Sequence, residues 1–411
     1  MTRSMRIVCV GGGPAGLYFA ILMKLCNRSH DITVVERNPA GVTYGWGVVF
    51  WDDLLDALYH NDPVSARKIH EVSALWGGQE VHVRGLHTTY LGGYGYSLGR
   101  KCLLDILVER AMDLGVDIQF QREVKDLSKF PEADLIVACD GVNSSIRKLH
   151  SDYFQTDVEV GRNKYIWLGT HRVFDSFTFA FEETAAGWIW FHAYYFDTET
   201  STVIVECSPE TWTGLGFDEL ELDQSVKLLE EIFGSYLNHH SLINQARGVN
   251  QAPWHNFRRI SNNNWYHDNL VLIGDAAHTT HFAIGSGTKL AIADAIALAG
   301  KLNGHDDVKS ALHAYQEDRR VALLTPQSDA VKSTKWFENI PRYIDQPPTQ
   351  FAYSLWKRRG HYSLWRYQLH LATQIAALRS LRRSIGAARR GLRARRRMKL
   401  ADTDERVSSV R

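Results

Sequence analysis

The chain is expected to be an α/β protein: a parallel sheet with crossover helices, a second, mixed or antiparallel sheet inserted into it, and a helical C-terminal region. Three observations predict this. Residues 6–37 run strand, glycine turn, helix, strand. Two later buried-strand runs each end at an acid beside a glycine. Between them lies a stretch of aromatic and β-branched residues broken by turns, the texture of antiparallel strands.

The first unit opens with Ile7-Val8-Cys9-Val10, enters Gly11-Gly12-Gly13-Pro14-Ala15-Gly16, continues as an apolar helix and ends in a second strand at Glu36 and Arg37. Each piece has a physical reason. Gly11 permits a tight turn, Gly13 removes the side chain where a pyrophosphate approaches the backbone, and Gly16 lets helix and strand pack closely. The helix that Pro14 and Ala15 begin presents free N–H groups and a partial positive charge to the phosphates. Glu36, twenty residues after Gly16, is placed to accept hydrogen bonds from a ribose. A strand-to-helix turn can use the same glycines for structure alone, but strand, helix, second strand and acid in one register favour a dinucleotide site.

Two further turns follow. Ala133 to Cys139 is a buried-strand run ending in Asp140-Gly141-Val142-Asn143-Ser144-Ser145-Ile146-Arg147. Asn269 to Ile273 is another, delivering Gly274-Asp275-Ala276-Ala277-His278, after which Gly285-Ser286-Gly287-Thr288 opens a helix carrying Asp294.

In this order the three signatures resemble the group A flavoprotein monooxygenases, the para-hydroxybenzoate hydroxylase type, whose FAD-binding domain is Rossmann-like. The resemblance implies tightly but non-covalently bound FAD, NADPH or NADH as a transient reductant, and O2. It implies that Asp275 is the ribitol ligand, that Gly285, Gly287, Thr288 and Lys289 supply groups around the flavin ring, that Arg100 reaches the flavin, and that the backbone of Val124 faces adenine. It also places the Asp140 turn, Arg37, Trp46 and Gly47 in the cofactor site. Two positions depart from the broader pattern: His281-Phe282 stands where a proline is usual, and Lys289 replaces an asparagine. Two readings of Lys289 stay open, a cation stabilising the reduced ring and a solvent-facing helix residue.

A narrower resemblance runs to about Arg366. Gly45-Trp46-Gly47-Val48-Val49-Phe50, Tyr165-Ile166-Trp167-Leu168-Gly169-Thr170, His281 to Leu290 and Trp336-Phe337-Glu338-Asn339 are similar to the salicyloyl-CoA 5-hydroxylase and 2-aminobenzoyl-CoA monooxygenase branch. Gly161 to Trp167 is equally similar to the indole hydroxylase of violacein biosynthesis. The expected domains are 1–160 with 246–330 for FAD, 161–245 with a contribution from 60–100 for substrate, and 331–411 as a helical region with a basic tail.

The substrate sheet is expected from Tyr165 to Val173, Phe177 to Glu183, Gly187 to Tyr195 and Ser201 to Cys207, as an antiparallel meander. Alternation puts Trp188, Trp190, His192 and Tyr194 on one face and Ile189, Phe191, Ala193 and Tyr195 on the other. For any single aromatic, packing between sheet and helices is the stronger expectation; His192 and Tyr194 are the two singled out as catalytic candidates.

With 411 residues, 45% hydrophobic content and a formal charge of +1, the chain can bury a large core and lacks the basic field that nucleic-acid binding needs. Its five cysteines, Cys9, Cys26, Cys102, Cys139 and Cys207, are scattered and mostly in apolar runs, so they read as buried thiols in a reducing compartment. No metal-ligand spacing is present. There is no apolar run of roughly eighteen residues and no secretory leader, so the protein is expected to be cytoplasmic, with no membrane span.

Residues near 6–37 form one complete glycine-rich unit and no second is present; that nicotinamide visits, reduces the flavin and leaves is what the resemblance implies. The expected activity is hydroxylation of an electron-rich ring para to a hydroxyl or amino group, on a small aromatic substrate, possibly CoA- or carrier-tethered. His281, close before the glycine turn, and His192 are the candidate bases; His278 is expected to be structural. Open alternatives are an indole or other free aromatic intermediate, and a flavoprotein reductase or sensor that does not hydroxylate.

The C-terminal end carries Arg382, Arg383, Arg389, Arg390, Arg393, Arg395, Arg396 and Arg397 with no acid between Arg379 and Lys399. Leu371, Ile375, Leu378, Leu381, Ile385 and Leu392 recur at near-helical spacing. A solvated or weakly anion-binding helical tail is expected; phosphate binding is the competing reading. Tyr353, Trp356, Tyr362, Trp365 and Tyr367, among Lys357, Arg358, Arg359 and Arg366, suit either an adenine and its phosphates or a domain cap.

Overall fold

Alternation of buried-strand runs with helices yields the parallel sheet as expected. In the computed structural model, which describes residues 4–244, 254–360 and 364–408, its strands lie in the order Tyr266–His267, Leu270–Leu272, Leu135–Ala138, Arg6–Val10, Asp31–Val35, Asp117–Gln119. All neighbours are parallel except the first pair, a hairpin. Ile7 stands opposite both Ile32 and Leu135, so the three signature turns emerge at one edge. Ile7, Cys9, Val34, Leu135, Val137 and Leu272 are all buried, as a sheet covered on both faces requires. Helices Pro14–Cys26 and Gly287–Gly304 pack against each other.

The second sheet draws on more of the chain than 161–245 and 60–100. Its order is Leu242–Ile243, Thr156–Thr170, Ser201–Cys207, Gly187–Tyr195, Phe177–Thr184, Ala74–Val83, His87–Gly99, Gly47–Phe50, with His255–Asn262 pairing Thr156–Thr170 as well. It is not a simple meander. Thr156–Thr170 pairs with Ser201–Cys207 rather than with the strand that follows it, and Phe177–Thr184 pairs in parallel with Ala74–Val83. The crossing 171–176 buries Phe174 in the core and ties its N–H to Ser201 Oγ at 3.2 Å, which carries the chain past the neighbouring place.

The two faces of Gly187–Tyr195 separate as alternation requires. Ile189, Phe191 and Ala193 pack with Ile166, Leu168, Val203 and Val205 and with Leu229 and Phe233 of helix Leu222–Leu237. On the other face Trp190 packs with Phe181, Trp336, Phe337 and Phe351. The C-terminal region is helical: Val308–Phe337, Pro348–Lys357, Leu364–Ala372 and Ala376–Ser408. Among the described residues no helix is long and apolar enough to cross a membrane. Cys9, Cys139 and Cys207 are buried, but Cys26 is exposed and Cys102 half-buried, so the expectation of buried thiols does not extend to these two.

Candidate active site

The glycine turn is built as its spacing demands. Gly11 has φ +119°, and a Cβ there would lie 2.3 Å from the Cys139 carbonyl oxygen. A Cβ on Gly16 would meet the Gly11 oxygen at 2.4 Å and Cys139 Sγ at 2.5 Å, so helix and strands touch through bare backbone. On Gly13, by contrast, a Cβ would meet nothing within 4 Å. That open space is the junction of two cavities. The smaller, about 230 Å³, is lined by Gly11 to Gly13, Glu36, Arg37, Arg122 and Val124; the larger, about 1210 Å³, extends toward the second sheet. Gly13, Tyr44, Arg100, Cys139 and Gly141 line both.

In the smaller cavity Glu36 accepts the Gly12 N–H through Oε2 at 2.7 Å and the Asn38 N–H through Oε1 at 2.8 Å, which fixes the carboxylate against the turn. Asp140 Oδ2 accepts the Ser145 N–H at 2.7 Å, capping helix Ser145–Leu149, while Oδ1 is buried with no partner among the described residues. A cradle that a Cβ on Gly13 would obstruct, a helix N-terminus facing it and an unpartnered carboxylate oxygen at its wall fit a pyrophosphate-linked dinucleotide.

The third turn is clamped from beneath. Asp294, fully buried, accepts the Gly274 N–H at 2.9 Å and contacts His278 Nε2 at 2.7 Å on one oxygen, and takes Arg319 Nε at 2.7 Å on the other. His278 stacks on Trp265 with centroids 5.1 Å apart, so it is structural, as expected. Asp275 projects into the larger cavity and is accessible from it. Desolvation at that depth raises its carboxyl above the usual range, against the pull of Arg100, His278 and Arg147.

Arg147, buried, ties the second turn to the third: Nη2 donates to the Val142 carbonyl at 2.7 Å and Nη1 to the Ala276 carbonyl at 2.9 Å. The sequence displayed this arginine without disclosing the role. Arg100 has its guanidinium desolvated, which lowers its pKa, and Nε donates to Thr43 Oγ1 at 3.1 Å.

Trp76, Gln79, Phe177, Phe179, His192 and Tyr194 line the larger cavity, as do Gly285 to Thr288. His192 is nearly parallel to Phe177 and to Phe282, centroids 5.9 Å and 5.7 Å away. Burial, then the charge of Arg358 and the neighbouring His281, push its pKa down to about 3, so the ring is neutral; Nδ1 is buried without a partner among the described residues. Trp76 and Gln79 arrive on strand Ala74–Val83 and carry no sequence signal beyond the glycines between them.

Four expected site residues are placed otherwise. His281 does not line the cavity: it is buried against Phe257 and Phe282, and its Nδ1 accepts the Ala283 N–H at 3.2 Å, capping its own turn. Tyr194 contributes its ring, but its hydroxyl donates to the Gly47 carbonyl at 2.8 Å, and burial raises its pKa, so it is committed to holding strand Gly47–Phe50. Trp46 packs its indole against Gly169 and offers only its backbone carbonyl, which accepts the Arg100 N–H at 2.8 Å. Lys289 points to Asp53 at the surface, which resolves its two readings in favour of a solvent-facing ion pair. Gly47 lines the cavity and its N–H donates to Thr202 Oγ1 at 2.8 Å.

The aromatic and cationic segment near the C-terminus forms a cap. Tyr353 packs with Trp356, Tyr367 and His370, and Arg358 and Arg359 donate to the Ala283 carbonyl at 2.8 Å and 3.2 Å. Tyr362 lies outside the described residues. The basic tail is not simply solvated: Arg393 and Arg397 pair with Asp52, and Arg397 also with Asp56.

Known proteins agree with this geometry. Residues 129–323 match the family described as FAD binding domain. The chain is 38% identical over 361 residues to a salicyloyl-CoA 5-hydroxylase of a Streptomyces species, covering 85% of this chain and 69% of that protein. It is 32% identical over 362 residues to the 3-hydroxy-4-methyl-anthranilyl-[aryl-carrier protein] 5-monooxygenase of Streptosporangium sibiricum, covering 88% and 96%. Its fold matches that of the tetrameric form of 2-methyl-3-hydroxypyridine-5-carboxylic acid oxygenase with a TM-score of 0.68 at 20% identity, over 87% of this chain and 96% of that one. With three signature turns converging on one divided cavity and these relatives spanning it, the chain belongs to the FAD-dependent aromatic monooxygenases, in the branch of the salicyloyl-CoA 5-hydroxylase.

Proposed function

We propose that the chain hydroxylates an aromatic ring carried as a thioester, salicyloyl-CoA or 2-aminobenzoyl-CoA in type, para to its hydroxyl or amino group, at the expense of NAD(P)H and O2. The observation that carries this reading is the divided cavity, with a phosphate cradle and Asp275 at one end and a ring-lined recess with His192 at the other. Two relatives named for acyl-CoA and carrier-protein substrates support the thioester.

FAD supplies the redox chemistry, activating dioxygen once reduced. The protein supplies position and dryness. In this reading Gly11, Gly13 and the N–H groups opened by Pro14 and Ala15 hold the pyrophosphate, Glu36 and Arg37 the ribose end, and the Val124 backbone the adenine. Asp275 would hold the ribitol, and Arg100, Gly47 and the backbone of Gly285, Gly287 and Thr288 would hold the ring. Phe177 and Phe179, side by side on one strand with ring centroids 5.1 Å apart, form an apolar wall against which the substrate ring lies and from which water is excluded. His192 Nδ1 accepts a hydrogen bond from the substrate's hydroxyl or amino group and raises the electron density of the ring. A pKa of about 3 suits an acceptor that orients a proton without removing it.

Purified protein reconstituted with FAD should show NAD(P)H oxidation and O2 uptake stimulated by salicyloyl-CoA or 2-aminobenzoyl-CoA far more than by free salicylate or an indole, with a matching yield of 5-hydroxylated product. Stimulation by the free acid or the indole alone would overturn the thioester. Reduction of the flavin with no oxygen incorporated into any substrate would overturn hydroxylation.

A further inference from the structure

Helix Ala376–Ser408 turns four of its arginines, Arg379, Arg390, Arg393 and Arg397, to the protein and leaves its aliphatic residues facing outward. Inward, Arg379 lies over the Tyr90 ring at 3.6 Å and Arg390 over Tyr94 at 4.7 Å. Arg393 donates to Asp52 Oδ2 at 2.6 Å, and Arg397, 3% exposed, to Asp52 Oδ1 at 2.8 Å and Asp56 Oδ1 at 2.7 Å. Outward stand Leu378, Leu381, Ile385, Ala388 and Leu392, all exposed, Leu392 at 67%. Their separations alternate between three and four residues, the seam of a helix that packs against another helix. The next seam place is Arg395. Arg389 and Arg396, both exposed, lie along one edge, and Ser384 and Gly391 along the other, where a backbone can approach closely.

We propose that this seam docks an acidic amphipathic helix of a partner protein. The charge pattern selects that occupant over a second copy of the chain. In an antiparallel pair of copies the edges bearing Arg389 and Arg396 would face each other, and in a parallel pair Arg395 would meet Arg395 in the seam. A helix with leucines in its seam and glutamates along its edges satisfies both features. The inward arginines, anchored on Asp52, Asp56 and strand His87–Gly99, hold the seam in register with the sheet that lines the cavity.

The test uses the full-length FAD-loaded protein and a fluorescein-labelled four-heptad peptide with leucine at both seam positions and glutamate at both edges. A second peptide with lysine in place of glutamate is the control. The glutamate peptide should bind at least about tenfold more tightly than the lysine peptide. Ile385→Asn with Leu392→Asn should abolish the binding, and Arg389→Glu with Arg396→Glu should reverse the preference, while flavin content and NAD(P)H oxidation stay unchanged. Equal binding of the two peptides would overturn the proposal. So would a dimer in sedimentation that the Ile385 and Leu392 variants dissolve, or binding to phosphatidylglycerol vesicles with none to the glutamate peptide.

Discussion

Arg147 donates to the Ala276 carbonyl at 2.9 Å and so joins two turns that are 128 or more residues apart in the chain. The same guanidinium holds the Val142 carbonyl at 2.7 Å. Because these turns form adjoining walls of one cavity, their separation is set by a single planar fork, which an ammonium cannot reproduce. Arg147→Lys is expected to keep the fold but weaken FAD binding about tenfold or more, while Arg147→Met also costs about 1–3 kcal/mol of stability through unsatisfied buried carbonyls. Flavin fluorescence titration and urea unfolding separate the two effects; a lysine variant with unaltered FAD affinity would refute the bridging role.

Gly13 and Gly16 differ in what a methyl group would meet, and the difference separates binding from folding. Gly13→Ala places its methyl in open space at φ −78°, so the unfolding midpoint should barely move while FAD affinity drops. Gly16→Ala forces backbone and sulfur apart from 2.4 Å and 2.5 Å, an overpacking that costs about 1–3 kcal/mol or more. Thermal unfolding of both apoproteins, followed by flavin titration, checks the pair. Equal loss of stability in the two variants would remove the distinction.

Legibility in the sequence followed the range of the interactions. The turns that carry Gly11, Gly13, Gly16, Glu36, Asp140 and Asp275 are legible because each is local backbone geometry at a strand end, which the neighbouring residues encode. The faces of Gly187–Tyr195 were readable because period-two alternation is local too. Strand order was not: the pairing of Thr156–Thr170 with Ser201–Cys207 depends on where Phe174 and Ser201 meet across the core. Nor was the fate of polar tips. Lys289, Tyr194 and His281 are aimed by Asp53, Gly47 and Ala283, and the first two of these partners are distant in sequence. Trp76 and Gln79 reach the cavity only because a strand from the N-terminal third pairs in parallel with Phe177–Thr184.

Lys289 offers a check on that aiming. Its ammonium pairs with Asp53 at the surface, with side chains 38% and 55% exposed, so the pair is worth little in water. Lys289→Met should leave stability within about 0.5 kcal/mol and the flavin absorption spectrum unchanged. A shift of the bound-flavin spectrum, or altered affinity of the reduced form, would return the cation to the ring.

His192 is where the proposed chemistry is most exposed to test. His192→Phe keeps the stacking with Phe177 and removes the acceptor, so FAD should remain bound while product formed per NAD(P)H falls, by up to about 10²-fold. His192→Asn restores an acceptor and should recover part of the coupling. Since burial holds the imidazole at about 3, no activity step between pH 5 and 9 should vanish in either variant. Coupled hydroxylation unchanged in His192→Phe would rule out the role.

Glu206 carries the last expectation. It is buried beside Trp190, accepts from Asn163 Nδ2 at 2.8 Å and from Trp190 Nε1 at 3.3 Å, and is raised to about 7, chiefly by burial, with Glu338 adding to the rise. The folded protein therefore holds a proton there that the unfolded chain has released above about 4.5. That contribution to stability is complete below pH 4.5 and is lost as pH rises to about 7, at up to about 1.4 kcal/mol per pH unit, then stays constant. Glu206→Gln removes the dependence, so the variant should gain on the wild type progressively from pH 5 to 7 and hold that gain at pH 8. Urea unfolding of both proteins at these pH values decides it, and parallel stability curves would show that the carboxyl titrates in the ordinary range.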